Sequence, residues 1–231
     1  MKAIIIAAGK ATRLLPLTEK TPQCMLKIKG KTILEHQINM LKTGGIKDIT
    51  VICGYKADKV ESFCNEQGIK TILNPFYDVS GIAMTLWIAK EELDDSLIIY
   101  SDILFNPEIV SEMIKQKGDI CIAIKKDGIR EEAEKVVENN GIVESISKEM
   151  TPKVNGEFIG MIKLSKRGSK DVTEKINNVA KVKLNCTLIE IIDGLIADNK
   201  KISAYDIRNS IFIDIDFPKD LEKAETMLLK R

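Results

Sequence analysis

The sequence has little of what marks several large classes of protein. It contains one histidine, His36, which lies inside a predicted helix without a patterned partner, so that a packing or surface role is favoured over catalysis. No apolar stretch approaches the roughly 20 residues that span a bilayer. The N-terminal apolar run is too short and wrongly flanked for a signal peptide. These absences argue against a membrane protein and against histidine-based chemistry.

Net charge and paired cysteines are also lacking. The 35 Lys and Arg residues almost balance the 34 Asp and Glu residues, so no net field attracts nucleic acid or an anionic membrane. The 5 cysteines include no CxxC pair, and Cys53 and Cys121 lie in apolar runs, where cysteine behaves as a small hydrophobe. We therefore predict a cytoplasmic protein with no zinc site and no nucleic-acid or membrane partner, in which any anion binding is local.

What is present is an alternation of strand-like and helix-like patterns. Apolar, β-rich runs occur at 3–8, 49–53, 70–73, 97–100 and 120–124. Helix-period segments are predicted at 32–43, 57–67, 81–93, from Asn106 onward, at 183–198 and at 218–229. This alternation predicts one α/β domain over residues 1–231, with a doubly wound, mainly parallel but mixed sheet in a three-layer α/β/α arrangement.

The regular alternation of strand and helix patterns ends in the second half of the chain. Asn139, Asn140 and Gly141 form a predicted turn between strand patterns at 135–137 and 142–147, which indicates a β-hairpin. We expect residues 126–156, about this hairpin, to form an insertion lying over the sheet. Further strands are predicted at 158–164, 202–206 and 211–215.

The first strand leads into a turn suited to phosphate. Its unbroken Ile run is typical of a strand buried on both faces of a parallel sheet. The small residues of the turn are Ala7, Ala8, Gly9 and Ala11. They let the backbone approach a ligand, the turn amides form an anion-binding concavity, and Lys10 and Arg13 add positive charge. With one glycine, the same residues also fit an ordinary strand-to-helix turn.

Three aspartates follow strand patterns. Asp102 closes the run at 97–101, at the sheet edge where doubly wound folds bind ligands, and the following helix already has Asn106 as its cap. Asp214 and Asp216 alternate with apolar residues, so their side chains should project from the same face of a strand. Asp216 also fits a simple turn into the last helix, because it lies two residues before a proline.

Neighbouring carboxylates repel unless a cation joins them, and Mg²⁺ prefers oxygen ligands, few from protein and the rest from phosphate and water. A triphosphate at the first turn with Mg²⁺ on Asp102 and Asp214 would supply the parts of phosphoryl-type transfer. That chemistry depends on positioning and charge neutralisation, so it requires no nucleophilic side chain.

The first turn and the aspartate motifs resemble those of the GT-A-like nucleotidyltransferases of the sugar-nucleotide and choline-phosphate cytidylyltransferase type, and the resemblance covers nearly the whole chain. AAGKATRLLPLTEKTP resembles the family's phosphate signature, and SIFIDIDFPKDLEKAE resembles its closing metal motif. LNPFYDVSGIAMTLWIAKEEL, IYSDILFNPE and GEFIGMIKL resemble the branch that uses CTP and small phosphorylated alcohols or amides. The resemblance implies transfer of CMP from CTP to a small phosphorylated or phosphonate acceptor, such as a phosphocholine-like compound or an aminoalkylphosphonate, with release of pyrophosphate.

The resemblance also implies residue roles. Lys10 and Arg13 would steady the β- and γ-phosphates, and Lys148 would face the acceptor phosphate. The implied metal ligands for Mg²⁺ are Asp102, Asp214 and Asp216. The implied nucleotide-binding residues are Ala7, Ala8, Gly9, Lys10, Ala11, Thr12, Arg13, Gln23 and Ser101. Whether the protein is a homodimer is left open.

Three positions depart from the family pattern. Ala11 replaces a common glycine, and Gly81 stands where relatives often carry asparagine near the acceptor. Gln23 replaces a lysine that usually contacts the phosphates, so that Lys10, Lys20 or Lys27 substitutes for it or activity is weak.

The sequence leaves three alternatives. One is a sugar-1-phosphate nucleotidyltransferase that uses UTP or GTP. Another, suggested by Gln23, is a non-catalytic nucleotide-binding protein. A glycosyltransferase would also use an Asp-x-Asp pair, but the pair at 214–216 lies almost at the C-terminus, whereas the resemblance places a glycosyltransferase's pair after a central strand.

Overall fold

A computed structural model of the protein describes residues 1–229. Its strands are β1 (Lys2–Ala7), β2 (Lys27–Ile28), β3 (Lys31–Thr32), β4 (Ile49–Cys53), β5 (Lys70–Leu73), β6 (Ser96–Tyr100), β7 (Ile103–Phe105), β8 (Ile120–Lys125), β9 (Glu134–Asn139), β10 (Ile142–Ser147), β11 (Gly156–Leu164), β12 (Ile202–Asp206) and β13 (Phe212–Asp214). Its α-helices are α1 (Ile33–Thr43), α2 (Ala57–Glu66), α3 (Ile82–Ile88), α4 (Pro107–Lys115), α5 (Lys166–Ala180), α6 (Leu188–Ala197) and α7 (Pro218–Leu229).

Nine strands form one sheet in the order β5-β4-β1-β6-β11-β8-β12-β10-β9. The pairs β5–β4, β4–β1, β1–β6 and β8–β12 are parallel, and β11 runs antiparallel to both β6 and β8. The sheet is therefore mixed, as expected, but the expectation that it is mainly parallel holds only for its first half. The hairpin and β11 reverse the chain direction in the second half, and hairpin-linked strands must pair antiparallel.

The hairpin does not lie over the sheet as predicted. β10 pairs with β12 and β9 pairs with β11, so the segment extends the sheet at its edge. Pairing with β10 satisfies backbone N–H and C=O groups of β12 that would be unpaired if β12 were the edge strand. The turn itself is confirmed, because Asn140 and Gly141 both have positive φ angles, of 51° and 78°, as a two-residue type I′ hairpin turn requires.

Helices pack on both faces of the sheet. Ile5 of β1 faces a cluster that includes residues of α1, α2 and α4, whereas Ile4 faces a second cluster with residues of α3, α5 and α6. Both isoleucines are fully buried, which confirms that β1 is covered on two faces. Cys53 and Cys121 are also buried among apolar side chains, as expected. Within residues 1–229, no helix combines the length and apolarity needed to cross a bilayer.

The sequence patterns missed α5 and placed the start of α6 five residues too early, at 183 instead of Leu188. α5 is mostly polar and buries only a narrow stripe that includes Val172 and Ile176, so few apolar residues indicate a helix in the sequence. Its first turn also contains Gly168, where a Cβ atom would lie 2.0 Å from the backbone oxygen of Asp119. A glycine that ordinarily indicates a helix end here permits close packing of a helix against the sheet.

Candidate active site

Parallel pairing of β1 and β6 brings the first turn beside Asp102. Ile6 is in register with Tyr100, and the Ser101 amide donates a hydrogen bond to the Ile6 carbonyl at 3.2 Å. The carboxyl ends of the two strands therefore lie side by side. The turn at 8–13 and Asp102 extend from this same edge, which is where ligands bind in open α/β sheets.

A second pairing brings Asp214 and Asp216 to the same place. β13 runs antiparallel to β7, with Asp214 opposite Ile103, and the Ile215 amide donates to the Asp102 carbonyl at 2.8 Å. One carboxylate oxygen from each of Asp102, Asp214 and Asp216 lies within 4.8 Å of the others. Residues more than a hundred positions apart thus form one acidic cluster.

Asp216 is not needed to order the turn into α7. That role belongs to Asp220, whose carboxylate accepts a hydrogen bond from the Phe217 amide at 2.9 Å. Asp216 is itself buried and lies beside the two other aspartates. The simple turn interpretation of Asp216 is therefore unnecessary.

The electrostatics of the cluster suit a divalent cation. Burial, followed by repulsion from Asp214 and Asp216, raises the pKa of Asp102 well above its usual range. Burial, with repulsion from Asp216, raises the pKa of Asp214 to about 6. Among the described residues, the buried Oδ1 atoms of Asp102 and Asp214 have no hydrogen-bond partner. Buried, crowded and unpartnered carboxylate oxygens are the ligand type that Mg²⁺ prefers.

Two arginines approach the cluster. Arg13 forms an ion pair with Asp216, and Arg130 contacts Asp214 with a nitrogen–oxygen distance of 3.1 Å. Arg130 is held in turn by the buried Glu157, which accepts from its backbone amide at 2.9 Å and pairs with its guanidinium at 3.3 Å. Arg130 was not predicted from the sequence, because it lies in a loop without a motif and meets Asp214 only through the tertiary fold.

A cavity of about 320 Å³ opens beside the cluster. Its lining includes the predicted residues Ala7, Gly9, Ala11, Arg13, Gln23, Ser101, Asp102, Lys148 and Asp216. Tyr100 and Glu134 also line it, although no role was predicted for them from the sequence. A smaller adjoining cavity of about 90 Å³ shares Asp102, Asp216 and Glu134 as lining residues and adds Asp214.

Three residues of the predicted set have other surroundings. Lys10 forms an ion pair with Asp78 and is not among the cavity-lining residues in the part of the chain that the structure describes. Thr12 is exposed at the start of a short 3₁₀ turn. The Ala8 carbonyl accepts a hydrogen bond from the Tyr55 amide at 2.9 Å. Arg13 is therefore the cation of the first turn that reaches the cavity.

The departures from the family pattern have structural counterparts. Ala11 adopts a left-handed conformation with φ of 49°, the region that glycine occupies most readily, and the Thr18 hydroxyl donates to its carbonyl at 3.0 Å. The side-chain amide of Gln23 donates to the Ile215 carbonyl, between the two aspartates of the closing motif. Gln23 thus ties the phosphate-turn region to the acidic cluster through a neutral hydrogen bond.

Gly81 and Gly9 differ in the space around them. A Cβ atom on Gly81 would lie 2.3 Å from the carbonyl oxygen of Cys186, so glycine lets the segment before α6 approach α3. A Cβ atom on Gly9 would meet nothing within 4 Å, although Gly9 lines the cavity. The backbone at Gly9 is therefore open on the side where a ligand would lie.

Comparison with known proteins identifies relatives along the whole chain. The protein is 28% identical to the CTP:phosphoglutamine cytidylyltransferase of Campylobacter jejuni, over 96% of this chain and 98% of that protein. It is 39% identical to the choline-phosphate cytidylyltransferase of Streptococcus pneumoniae over 102 residues, which are 44% of each chain. It is also 32% identical to a bifunctional sugar-1-phosphate nucleotidylyltransferase/acetyltransferase of Sulfurisphaera tokodaii, over 78% of this chain and 48% of that protein.

Solved structures share the fold. The CTP:phosphocholine cytidylyltransferase from Streptococcus pneumoniae superposes with a TM-score of 0.80 at 24% identity, and covers 98% of each chain. The inositol-1-phosphate CTP transferase from T. maritima superposes with a TM-score of 0.85 at 21% identity, over 99% of this chain and 95% of that one. The expected nucleotidyltransferase fold is confirmed. Residues 3–157 match the model of one family, so the chain belongs to the MobA-like NTP transferase domain family.

Proposed function

We propose that this protein transfers CMP from CTP to a small phosphorylated or phosphonate acceptor and depends on Mg²⁺. The observation that carries the proposal is the meeting of Asp102, Asp214 and Asp216 at the edge of a cavity that the first turn also lines. The cytidylyltransferases among the relatives support CTP as the nucleotide.

The acidic cluster would hold the magnesium ion. Its three carboxylates are close together, and two of them present buried oxygens that lack a partner among the described residues. When bound, magnesium would neutralise charge on the α-phosphate as pyrophosphate leaves. Arg130 would hold Asp214 in place through their ion pair, and Gln23 would hold the adjacent backbone through its hydrogen bond to the Ile215 carbonyl.

The other residues would align the two substrates. The open backbone at Gly9 would receive the triphosphate, and Arg13 would neutralise the leaving pyrophosphate. Lys148, which lines the same cavity, would orient the acceptor phosphate. An acceptor oxygen would then bond to the α-phosphorus while the bond from that phosphorus to the bridging oxygen of pyrophosphate breaks. Alignment and charge neutralisation supply the rate enhancement.

The decisive assay measures pyrophosphate release with each of the four nucleoside triphosphates and a panel of phospho- and phosphono-acceptors, with Mg²⁺. We expect turnover with CTP and at least one acceptor. No turnover with CTP and any acceptor would overturn the proposal.

The same panel separates the two rivals. Similarity to a sugar-1-phosphate nucleotidylyltransferase supports the first rival. Turnover confined to UTP or GTP with a sugar-1-phosphate would select that function. The neutral Gln23 favours a non-catalytic nucleotide-binding protein. That protein would bind nucleotide in calorimetry and release no pyrophosphate, even after Gln23→Lys. An enzyme should at least retain its activity after the same substitution.

Two glycine substitutions should distinguish a glycine that leaves room for a ligand, Gly9, from one that allows close packing, Gly81. Gly9→Ala should leave the melting temperature unchanged, because the new methyl group meets no protein atom within 4 Å, and should lower kcat/KM for CTP about tenfold by intruding on the triphosphate. Gly81→Ala should destabilise the fold by roughly 1–3 kcal/mol, because its methyl group would overlap the backbone at Cys186. Thermal unfolding and initial rates check both. An unstable Gly9→Ala variant, or one with full activity, would contradict this assignment of the turn.

A further inference from the structure

The acceptor side of the cavity contains an acidic residue with no role in the chemistry described so far. Glu134, the first residue of β9, lines both the larger and the smaller cavity. Its Oε2 accepts from the Tyr100 hydroxyl at 3.5 Å, at the long limit of a hydrogen bond. The carboxylate is therefore only weakly satisfied by the protein.

The fold holds the Tyr100 ring beside Glu134. The ring packs edge-to-face against Phe158, with centroids 5.9 Å apart and an interplanar angle of 82°. Gly160, in an irregular part of β11, has φ of 77°, and a Cβ atom there would lie 2.9 Å from the Tyr100 ring. Irregularities of this kind re-aim side chains next to functional sites. The Tyr100 ring is thus closely packed, and its hydroxyl group lies beside Glu134.

Lys148 lies on the same side of the cavity and gives this region two opposite charges. Both Lys148 and Glu134 line the two cavities. Burial raises the pKa of Glu134 to about 7, and the positive charge of Lys148 opposes that rise. A ligand with a phosphate group at Lys148 and a hydrogen-bond donor a few atoms away would complement both side chains.

We propose that Glu134 is the specificity-determining residue for the acceptor and that it accepts hydrogen bonds from an N–H group, such as a protonated primary amine, on the far end of the phosphate compound. The proposal rests on the proposed function, since the acceptor site is that of the CMP transfer. The long contact with Tyr100 leaves the half-buried Glu134 carboxylate able to accept from a better donor, and it gains most from a partner that carries both N–H groups and positive charge.

A quaternary ammonium group would suit the region less well. It offers charge without an N–H donor, and its recognition depends on a cage of several aromatic faces. Here Tyr100 and Phe158 pack edge-to-face on each other. Among the residues that the structure describes, Tyr100 is the one aromatic side chain lining the larger cavity.

The test compares three acceptors of similar size in CTP-dependent pyrophosphate release. Phosphoethanolamine has N–H groups and a positive charge, phosphocholine has the charge alone, and ethyl phosphate has neither. We expect kcat/KM to be highest for phosphoethanolamine. Glu134→Gln should lower that value about 10- to 100-fold, with little change for ethyl phosphate or in the KM for CTP. Glu131→Gln, at an exposed position nearby, is the matched control and should behave as the wild type.

Different results separate this assignment from the proposed function. Turnover with equal kcat/KM for all three acceptors, or an equal loss for all three in Glu134→Gln, would overturn the role of Glu134 and leave the CMP transfer standing. If the protein turns over no acceptor, the transfer fails, and calorimetric titration of the same three compounds still tests Glu134. Tighter binding of phosphoethanolamine, abolished in Glu134→Gln, would support the role of Glu134, and equal binding would overturn it.

Discussion

Asp102→Asn should lower kcat/KM for CTP by about a thousandfold. The substitution keeps the size of the side chain and removes one of three carboxylates whose oxygens lie within 4.8 Å of each other. Charge stabilisation by a bound metal ion contributes several kcal/mol to the transition state, and each 1.36 kcal/mol corresponds to a factor of ten in rate. Steady-state pyrophosphate release at saturating Mg²⁺ measures the loss. Asp214→Asn should behave similarly.

Stability measurements show whether such a loss is catalytic or structural. Because the pKa of Asp214 is raised from its usual 3.8 to about 6, the folded state binds this proton more tightly than the unfolded state does. In EDTA, the ionised cluster therefore destabilises the fold increasingly as pH rises from about 4 to 6. Asp214→Asn should be at least as stable as the wild type at pH 8, and this advantage should shrink towards pH 4.

The response to metal completes the test. Mg²⁺ should raise the melting temperature of the wild type at pH 8 and should have little effect on Asp102→Asn, because ligands that bind only the native state stabilise it. Asp127→Asn, at an exposed loop position, should retain both activity and the magnesium response. Unchanged rates in both Asp102→Asn and Asp214→Asn would contradict the metal assignment.

Arg13→Ala should lower kcat/KM for CTP about a hundredfold. Arg13 is half-exposed, pairs with Asp216 and lines the same cavity as Gly9, where the triphosphate would bind. Hydrogen bonds to charged groups contribute about 1.5–3 kcal/mol each, and Arg can make two to one phosphate. Initial rates at varied CTP, with acceptor saturating, measure the loss. Arg13→Lys should recover part of it, since lysine keeps the charge and loses the paired geometry.

Lys10→Ala is the matched comparison. Lys10 pairs with Asp78 in the structure, outside the cavity-lining set of the described residues, so its loss should cost less than tenfold. A larger effect from Lys10→Ala than from Arg13→Ala would show that Lys10 leaves Asp78 for the phosphates, and would contradict the distribution of charge proposed here.

Several features could be predicted from the sequence because they depend on local patterns. The apolar run of β1 predicts a doubly covered strand, and both of its faces are buried. The position of Asp102 two residues after the end of β6 predicts its place at the carboxyl edge, since adjacent parallel strands end at the same edge. The hairpin turn at 139–141 likewise follows from residues that accept positive φ.

Other features depend on pairings between distant residues. Glu134 reaches the cavity because the hairpin joins the edge of the sheet beside β11, whereas a hairpin over the sheet would place it elsewhere. Arg130 contacts Asp214, 84 positions away, only through that arrangement. Neither residue belongs to a motif. A local sequence pattern does not indicate which distant charged side chains will be in contact in the folded protein.

The sequence by itself determined which groups are available: a strand followed by a turn of small residues with two cations, three aspartates at strand ends, and membership of a nucleotidyltransferase family. The tertiary structure decided which of these groups meet. Pairing of β7 with β13 joins Asp102 to Asp214, Asp78 engages Lys10, and β9 presents Glu134 to the cavity. Strand periodicity and turn preferences depend on residues that are close in the sequence. Interactions between charges depend on distance in space, which is set by the pairing and register of the strands in the folded sheet.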